Sequence, residues 1–370
     1  MYFSCEKALL LQAVNIASRT VALKSSISAL EGILVEAGDN LSLTGYNLET
    51  GIRTVIPAEV KEGGRIVLSA RLFGEIIRRL PDDMIVFRSD NNTVKITCGV
   101  SEFNILGTDA EEFPELPSVE NNNRVVMQQS VLGDMIGQTL FCIATSQVRP
   151  VHTGSLFEVS MDGNLTIVSL DGFRMALRKE QVLEKECATD FSFVVPGASL
   201  SEVEKICGDS NKPVEIIPGE RHIMFRFEDT TLISRRLEGE FLNYRQSIPK
   251  NSPITITVSR KNLLESVERV SLLISEKQKS PLRCTFGNQI LSISTKTAIG
   301  DAHDECAITG DGEELEIGFN NRYLLEALRA APADELKLEM NTPISPCNIV
   351  SADGSDHFLY MVLPVRLRAN

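Results

Sequence analysis

The chain has no tryptophan, five tyrosines and four histidines, and none of its apolar runs approaches the length a membrane span needs. His152, His222, His303 and His357 stand far apart, and none falls in a metal-binding spacing such as His-Glu-x-x-His. Eight cysteines are scattered at 5, 98, 142, 187, 207, 284, 306 and 347 without one Cys-x-x-Cys pair. Reduced, packed thiols are expected in place of a disulfide framework or metal knuckle. Phosphate loops are also missing: no Gly-x-Gly-x-x-Gly follows a strand, and Asp162-Gly163, Pro218-Gly219 and Asp353-Gly354 read as turns. No set of residues forms a catalytic constellation, so the chain reads as a binding protein with no cofactor. Base is in deficit, 37 Lys and Arg against 50 Asp and Glu, a formal charge of -13. That balance disfavours a simple nucleic-acid coat, which usually carries a surplus of base to neutralise phosphates; any contact with DNA is expected on one face. The N-terminus MYFSCEKALL carries acid and base ahead of any apolar run, unlike a secretory signal, so a cytoplasmic location is expected.

What is present is 43% apolar and 24% charged, an ordinary folded composition with material for several cores. The organising stretch is Val67 to Leu80, VLSARLFGEIIRRL. Leu72, Phe73, Ile76, Ile77 and Leu80 recur at helical spacing, Arg71, Glu75 and Arg78 fall on the other side, and Ser69 can cap the start. Comparable text returns at Val194 to Cys207 and Ile317 to Ala330. Earlier helices recur as well, at Ala8 to Arg19, Val131 to Ile143 and Asn262 to Ile274. In the first of these Leu10, Leu11, Val14 and Ala17 face inward and Lys7, Gln12, Asn15 and Arg19 outward. Three short alternating strands, starting at Leu41, Leu165 and Leu291, lie 124 and 126 residues apart.

Helix, strand and helix therefore keep step three times. The expected domains are 1-122, 123-247 and 248-370, each an α+β layer of two helices covering antiparallel sheets. Pro114, Pro117 and Glu120 to Asn123 mark the first linker, and Gln246 to Pro253 the second. Two surface features stand apart from this plan. Leu272 lies opposite the apolar stripe of its helix, among Lys261, Glu265, Glu268 and Arg269, and should be exposed. The C-terminal FLYMVLPVRLRAN is a strand interrupted by Pro364, whose apolar residues either fill core or line a groove.

Several phrases, LSLTGYNLE at 41, TSQVRPVHTG at 145, SLDGFRMAL at 169, EGEFLNYRQSIP at 238, EIGFNNRYLLEAL at 316 and YMVLPVRL at 360, resemble the beta subunit of bacterial DNA polymerase III, the sliding-clamp family. The resemblance spans all three repeats in order. It implies a non-enzymatic processivity factor: a head-to-tail homodimeric ring with helices inside and sheet outside, sliding on duplex DNA without reading sequence. It also implies partners, namely the replicative polymerase alpha subunit, an ATP-dependent clamp loader, repair polymerases and mismatch-repair proteins, with no membrane and a place on the nucleoid at the replication fork. Carried over by motif, the partner-peptide groove would be lined by His152, Leu170, Gly172, Phe173, Arg174, Met175, Leu242, Gln246, Ser247, Asn320, Tyr323, Val362, Leu363, Pro364, Val365 and Arg366. Its expected floor is Leu170, Met175, Leu242, Val362, Leu363 and Val365, with Arg174 and Arg366 as donors at the rim. Phe173 stands where a histidine is often seen, and Gln246 with Ser247 replaces a more basic and apolar pair. DNA-facing residues by the same route are Lys24, Arg71, Arg78 and Arg149, whereas Gly197 stands at a position that is basic in some members. The dimer face would use Phe103 and Ile105 on one chain and Leu272 and Leu273 on the other. The rival reading is a free-standing peptide-binding scaffold that does not encircle DNA.

Overall fold

Each of the six α-helices among the described residues starts where a strand ends. In a computed structural model of the chain, α1 (Lys7–Ala17) follows Tyr2–Glu6, α2 (Ala70–Arg79) follows Gly64–Ser69, and α3 (Gln129–Leu140) follows Arg124–Gln128. In the same way α4 (Gly197–Cys207) follows Phe191–Pro196, α5 (Arg260–Ser271) follows Ile254–Ser259, and α6 (Asn321–Ala330) follows Leu315–Phe319. The structure describes residues 1–120, 123–249, 251–275, 280–311 and 314–367. The expected linker residues Asn121, Asn122 and Lys250, and the end of the C-terminal stretch at 368–370, lie outside the described residues. Side chains close the exposed first turns of three helices. Ser69 Oγ accepts from Leu72 N at 3.5 Å, Ser259 Oγ from Asn262 N at 3.5 Å, and Asn320 Oδ1 from Arg322 N at 3.0 Å.

The chain folds into two compact units. The first comprises Met1–Ser130, Leu183–Ala188 and Lys205–Arg236, and the second Val131–Val182, Thr189–Glu204 and Leu237–Asn370, so the middle repeat contributes to both. In the first unit a five-stranded sheet has the order Glu59–Glu62, Tyr2–Glu6, Met84–Asp90, Thr93–Cys98, Ser101–Leu106. A nine-stranded sheet in the same unit joins strands of the first two repeats where Thr230–Arg235 pairs with Thr50–Ile56, and the Thr230 and Thr54 hydroxyls meet there at 3.0 Å. α1 and α2 cover these sheets with Leu10, Val14, Phe73 and Ile77, packed on Phe3, Phe87, Leu41 and Leu43. Phe73 is fully buried, which contributes about 2 to 3 kcal/mol relative to leaving it in water. In the second unit twelve strands form one sheet, and its Arg174–Gln181 and Phe358–Val362 strands pair antiparallel across the second and third repeats.

The structure corrects several expectations. Leu72 is 47% exposed, because residue 72 lies on the border of the apolar stripe and no element covers it. Leu11 is only partly buried, while Lys7 folds down to pair with Asp82 at 2.8 Å. The strand Leu41–Tyr46 is buried along its whole length instead of alternating, since its second face is covered too. Strands Glu59–Glu62, Arg124–Gln128, Arg174–Gln181, Glu184–Glu186, Ile254–Ser259, Leu282–Gly287 and Gly300–Asp311 were not anticipated. Gly300–Asp311 shows little apolar alternation because backbone pairing holds it, first to Ile290–Thr297 and then to Ile254–Ser259. Gly310 at the crossing has φ +143, and a Cβ there would lie 2.1 Å from the Thr255 carbonyl oxygen. No cysteine among the described residues forms a disulfide, and of the eight only Cys187 is not buried; burial pushes the Cys5 and Cys347 thiols up to about 12, leaving them unreactive.

Candidate functional site

The C-terminal segment is held across the second unit at two points. Leu363 N donates to Phe173 O at 2.9 Å and Val365 N to Gly318 O at 2.8 Å. A side chain at residue 318 would meet Val365 O at 2.5 Å, so the second contact needs glycine. The strand ends at Val362, ahead of Pro364, and Leu363 lines one cleft with Leu170 and Met175. The result is an apolar cleft of about 180 Å³ lined by Leu170, Gly172, Arg174, Met175, Leu242, Tyr244, Ser247, Pro346, Met361 and Leu363.

Seven of the sixteen expected groove residues line this cleft: Leu170, Gly172, Arg174, Met175, Leu242, Ser247 and Leu363. Val362 is not among them. Strand alternation places Met361 and Leu363 on the cleft side and sends Val362 into the opposite core. Asn320, Tyr323 and Val365 line a second, more polar cleft of about 590 Å³ on α6, together with Arg322, Glu326 and Arg329. His152 is buried edge-on against Phe241, ring centres 5.3 Å apart, and burial with the nearby Arg149 charge lowers its pKa. Gln246 and Arg366 are exposed and Pro364 is half-buried, none of them lining the apolar cleft. Three lining residues went unnoticed in the sequence, Tyr244, Pro346 and Met361. Met361 could have been found from its two-residue spacing to Leu363, whereas nothing local marks Pro346.

Arg174 is not the open rim donor the sequence suggested. It is only 6% exposed, and its head is already committed. Nε donates to Asp171 Oδ2 at 3.0 Å, Nη2 to Phe141 O at 2.6 Å, and Nη1 to Glu326. Burial by itself would lower its pKa, but the Glu326 and Asp171 carboxylates outweigh that and hold it raised. Its guanidinium lies 4.4 Å from the centre of the Tyr323 ring, and Phe173, 60% exposed, stacks on Tyr323 at 6.2 Å. The physical reason is local: Asp171 Oδ1 also accepts from Phe173 N at 2.9 Å and Arg174 N at 3.1 Å, a tight turn that swings the arginine inward and leaves the phenylalanine out.

Lys24, Arg71, Arg78 and Arg149 are all exposed. Arg71 and Arg78 lie on one face of α2 and line a cleft of about 740 Å³ with Asn15, Ser18 and Leu23; Arg78 is ion-paired with Glu75. Arg149 begins a short turn, Pro150–Thr153, in the second unit. At Gly197 a side chain would lie 2.2 Å from Ile143 Cδ1, so a basic residue cannot be accommodated there without rearrangement. Phe103 is 38% exposed on Ser101–Leu106, the edge strand of its sheet, while Ile105, two residues on along the same face, is half-buried against the core. Leu272, at the C-terminal cap of α5, is 82% exposed and Leu273 is half-buried.

A binding protein built from repeated helix-on-sheet layers is the class this architecture defines. Family models describe the three parts of the chain as the N-terminal, central and C-terminal domains of the DNA polymerase III beta subunit, over residues 1–117, 126–243 and 245–366. The beta sliding clamp of Halalkalibacterium halodurans is 33% identical over 380 residues, 99% of this chain and all of the relative. Among solved structures, a putative DNA polymerase III beta subunit from Eubacterium rectale superimposes with TM-score 0.94 at 34% identity, covering 99% of this chain and 100% of that one. The Bacillus subtilis DNA polymerase sliding clamp does so with TM-score 0.95 at 30% identity, covering 100% of each. The chain belongs to the bacterial DNA polymerase III beta subunit family, the sliding clamps. It is a DNA polymerase processivity factor and not an enzyme, with DNA and polymerase as its general partners and a replication role in the bacterial cytoplasm. Among the described residues no helix is long and apolar enough to cross a membrane.

Proposed function

We propose that two copies of this chain close head to tail into a ring that slides on duplex DNA and tethers replication and repair proteins. Full-length membership of the clamp family is the observation that carries this reading. Three domains, 1-122, 123-247 and 248-370, would make up each half. The exposed Arg71, Arg78, Lys24 and Arg149 would meet phosphates weakly and without base contacts, consistent with a chain of net charge -13. Phe103 and Ile105 of one copy would meet Leu272 and Leu273 of the other, hiding an edge strand that would otherwise invite mispairing. An ATP-dependent loader would open the ring at the nucleoid.

The test is topological. Clamp loaded on nicked circular DNA is retained, and linearising the circle releases it through unblocked ends. Equal retention on circles and open linear DNA would favour the free-standing scaffold instead.

The apolar cleft around Leu170, Met175 and Leu363 would receive a short flexible peptide with leucine or phenylalanine anchors, offered in turn by the polymerase alpha subunit, the loader, repair polymerases and mismatch-repair proteins. Met175 and Met361 can adapt to different anchors. Leu363→Ala with Met175→Ala is expected to weaken a polymerase-derived pentapeptide about tenfold or more, roughly 1.4 kcal/mol by calorimetry. Unchanged affinity in a folded dimer would place the groove elsewhere.

A further inference from the structure

One guanidinium ties together parts of the second unit that are far apart in sequence. Arg174 reaches the turn through Asp171, α6 through Glu326, and the end of α3 through the Phe141 carbonyl, at 3.0 Å for the first and 2.6 Å for the last. It also lies against two aromatic rings, 4.4 Å from Tyr323 and 5.4 Å from Phe141. Phe173, Tyr323, Arg174 and Phe141 thus succeed one another in contact from the exposed rim to the interior. Glu326 is held from its other side by Arg322 Nε at 2.9 Å, and it does not line the apolar cleft.

We propose that Arg174 and Glu326 are positioning residues for peptide recognition: their ion pair fixes the Tyr323 and Phe173 rings beside the apolar cleft, where Phe173 stands between the lining residues Gly172 and Arg174, and Arg174 does not serve as a donor to the peptide. This rests on the peptide-groove reading above. Three of the five guanidinium N–H groups have protein acceptors, and the planar head is pinned between two rings, so turning it toward a ligand would break contacts on α3, α6 and the turn together. Holding a flat wall in place before binding lowers the ordering cost of the bound complex, which is how a residue out of reach of a ligand raises affinity for it.

The experiment uses the full-length chain, the polymerase-derived pentapeptide, and a version of that peptide with its polar side chains replaced by alanine. Glu326→Ala is expected to weaken both peptides by the same factor, about tenfold, and to shift the fluorine resonance of 3-fluorotyrosine at Tyr323 before any peptide is added. Glu326→Gln, which retains an acceptor for Arg174, is expected to recover most of the affinity and of the resonance position. Arg174→Lys keeps the charge but loses the fork, and should weaken both peptides equally; it replaces Glu326→Ala as the deciding variant if the latter has no cooperative melt. Parent-like affinity in the deciding variant would overturn the proposal, as would weakening confined to the peptide with polar side chains, the signature of a direct donor. Leu363→Ala with Met175→Ala separates the two readings. If it weakens binding while the deciding variant does not, the positioning role fails alone, and if it has no effect the groove itself is misplaced.

Discussion

The helix pairs α1/α2 and α5/α6 are built from similar text and meet different surroundings. From their caps onward, α2 and α6 align as Ser69 with Asn320, Arg71 with Arg322, Glu75 with Glu326 and Arg78 with Arg329. In α2 the acid is held by its own helix, through Arg78 and through Arg79 at 3.0 Å, and the neighbouring Leu72 stays open to solvent. In α6 the acid is met from another strand by Arg174, and Tyr323, which aligns with Leu72, is clasped between that arginine and Phe173. The partner helices diverge at their ends. α1 runs into a short turn whose Thr20 hydroxyl donates to Gly45 O at 2.9 Å, buried, whereas α5 ends on the exposed Leu272. An equivalent helix therefore lines a cleft with exposed arginines in one unit, and in the other carries a ring clasped by Arg174 and Phe173. The difference lies in what packs beside it.

The largest test of that contrast is at the end of α5. If the proposed head-to-tail contact is right, Leu272→Asp with Leu273→Asp will give monomers by light scattering at low micromolar concentration, because two charges would be driven into an apolar contact. A dimer that persists would mean that the exposed end of α5 has no more role than the buried end of α1.

A smaller effect separates the two acids. Arg174→Ala leaves Asp171 and Glu326 without their shared buried partner and should cost about 3 kcal/mol in unfolding free energy. Glu75→Ala removes only exposed pairs within one helix and should stay within about 0.5 kcal/mol. Comparable losses at both sites would erase the distinction. The pH dependence has a defined sign. Burial tends to raise the Glu326 pKa, but hydrogen bonds from Arg322 and Arg174 outweigh it and leave the carboxyl below its ordinary 4.5. Its contribution is thus present above pH 4.5 and lost as the pH falls through the lower folded value, so the melting advantage of the parent over Glu326→Ala should shrink in that acid range.

Much of this was readable in the linear chain because it depends on periodicity and on local chemistry. The apolar spacing of α1 to α6, the cap Ser69, the strands Asn164–Leu170 and Ile290–Thr297, and the exposure of Leu272 all follow from residues a few positions apart. The cleft was partly readable for the same reason: Leu170, Met175 and Leu363 stand in recognisable phrases. Strand Gly300–Asp311 was not, since backbone pairing to two different neighbours holds it and only Ala302, Cys306 and Ile308 pack on the core.

By itself the sequence determined the threefold repeat, the α+β layering and the family, because each is a property of residue order that a strand or helix expresses locally. Only the tertiary structure decided the fate of individual side chains. It buried Val362 and opened Met361 to the cleft, left Leu72 bare while covering Tyr323, and buried Arg174, expected at the rim, as a tie between the end of α3 and α6. The physical reason is that a buried charge is settled by the acceptors that converge on it, and Asp171, Glu326 and the Phe141 carbonyl come from segments that no sequence spacing relates.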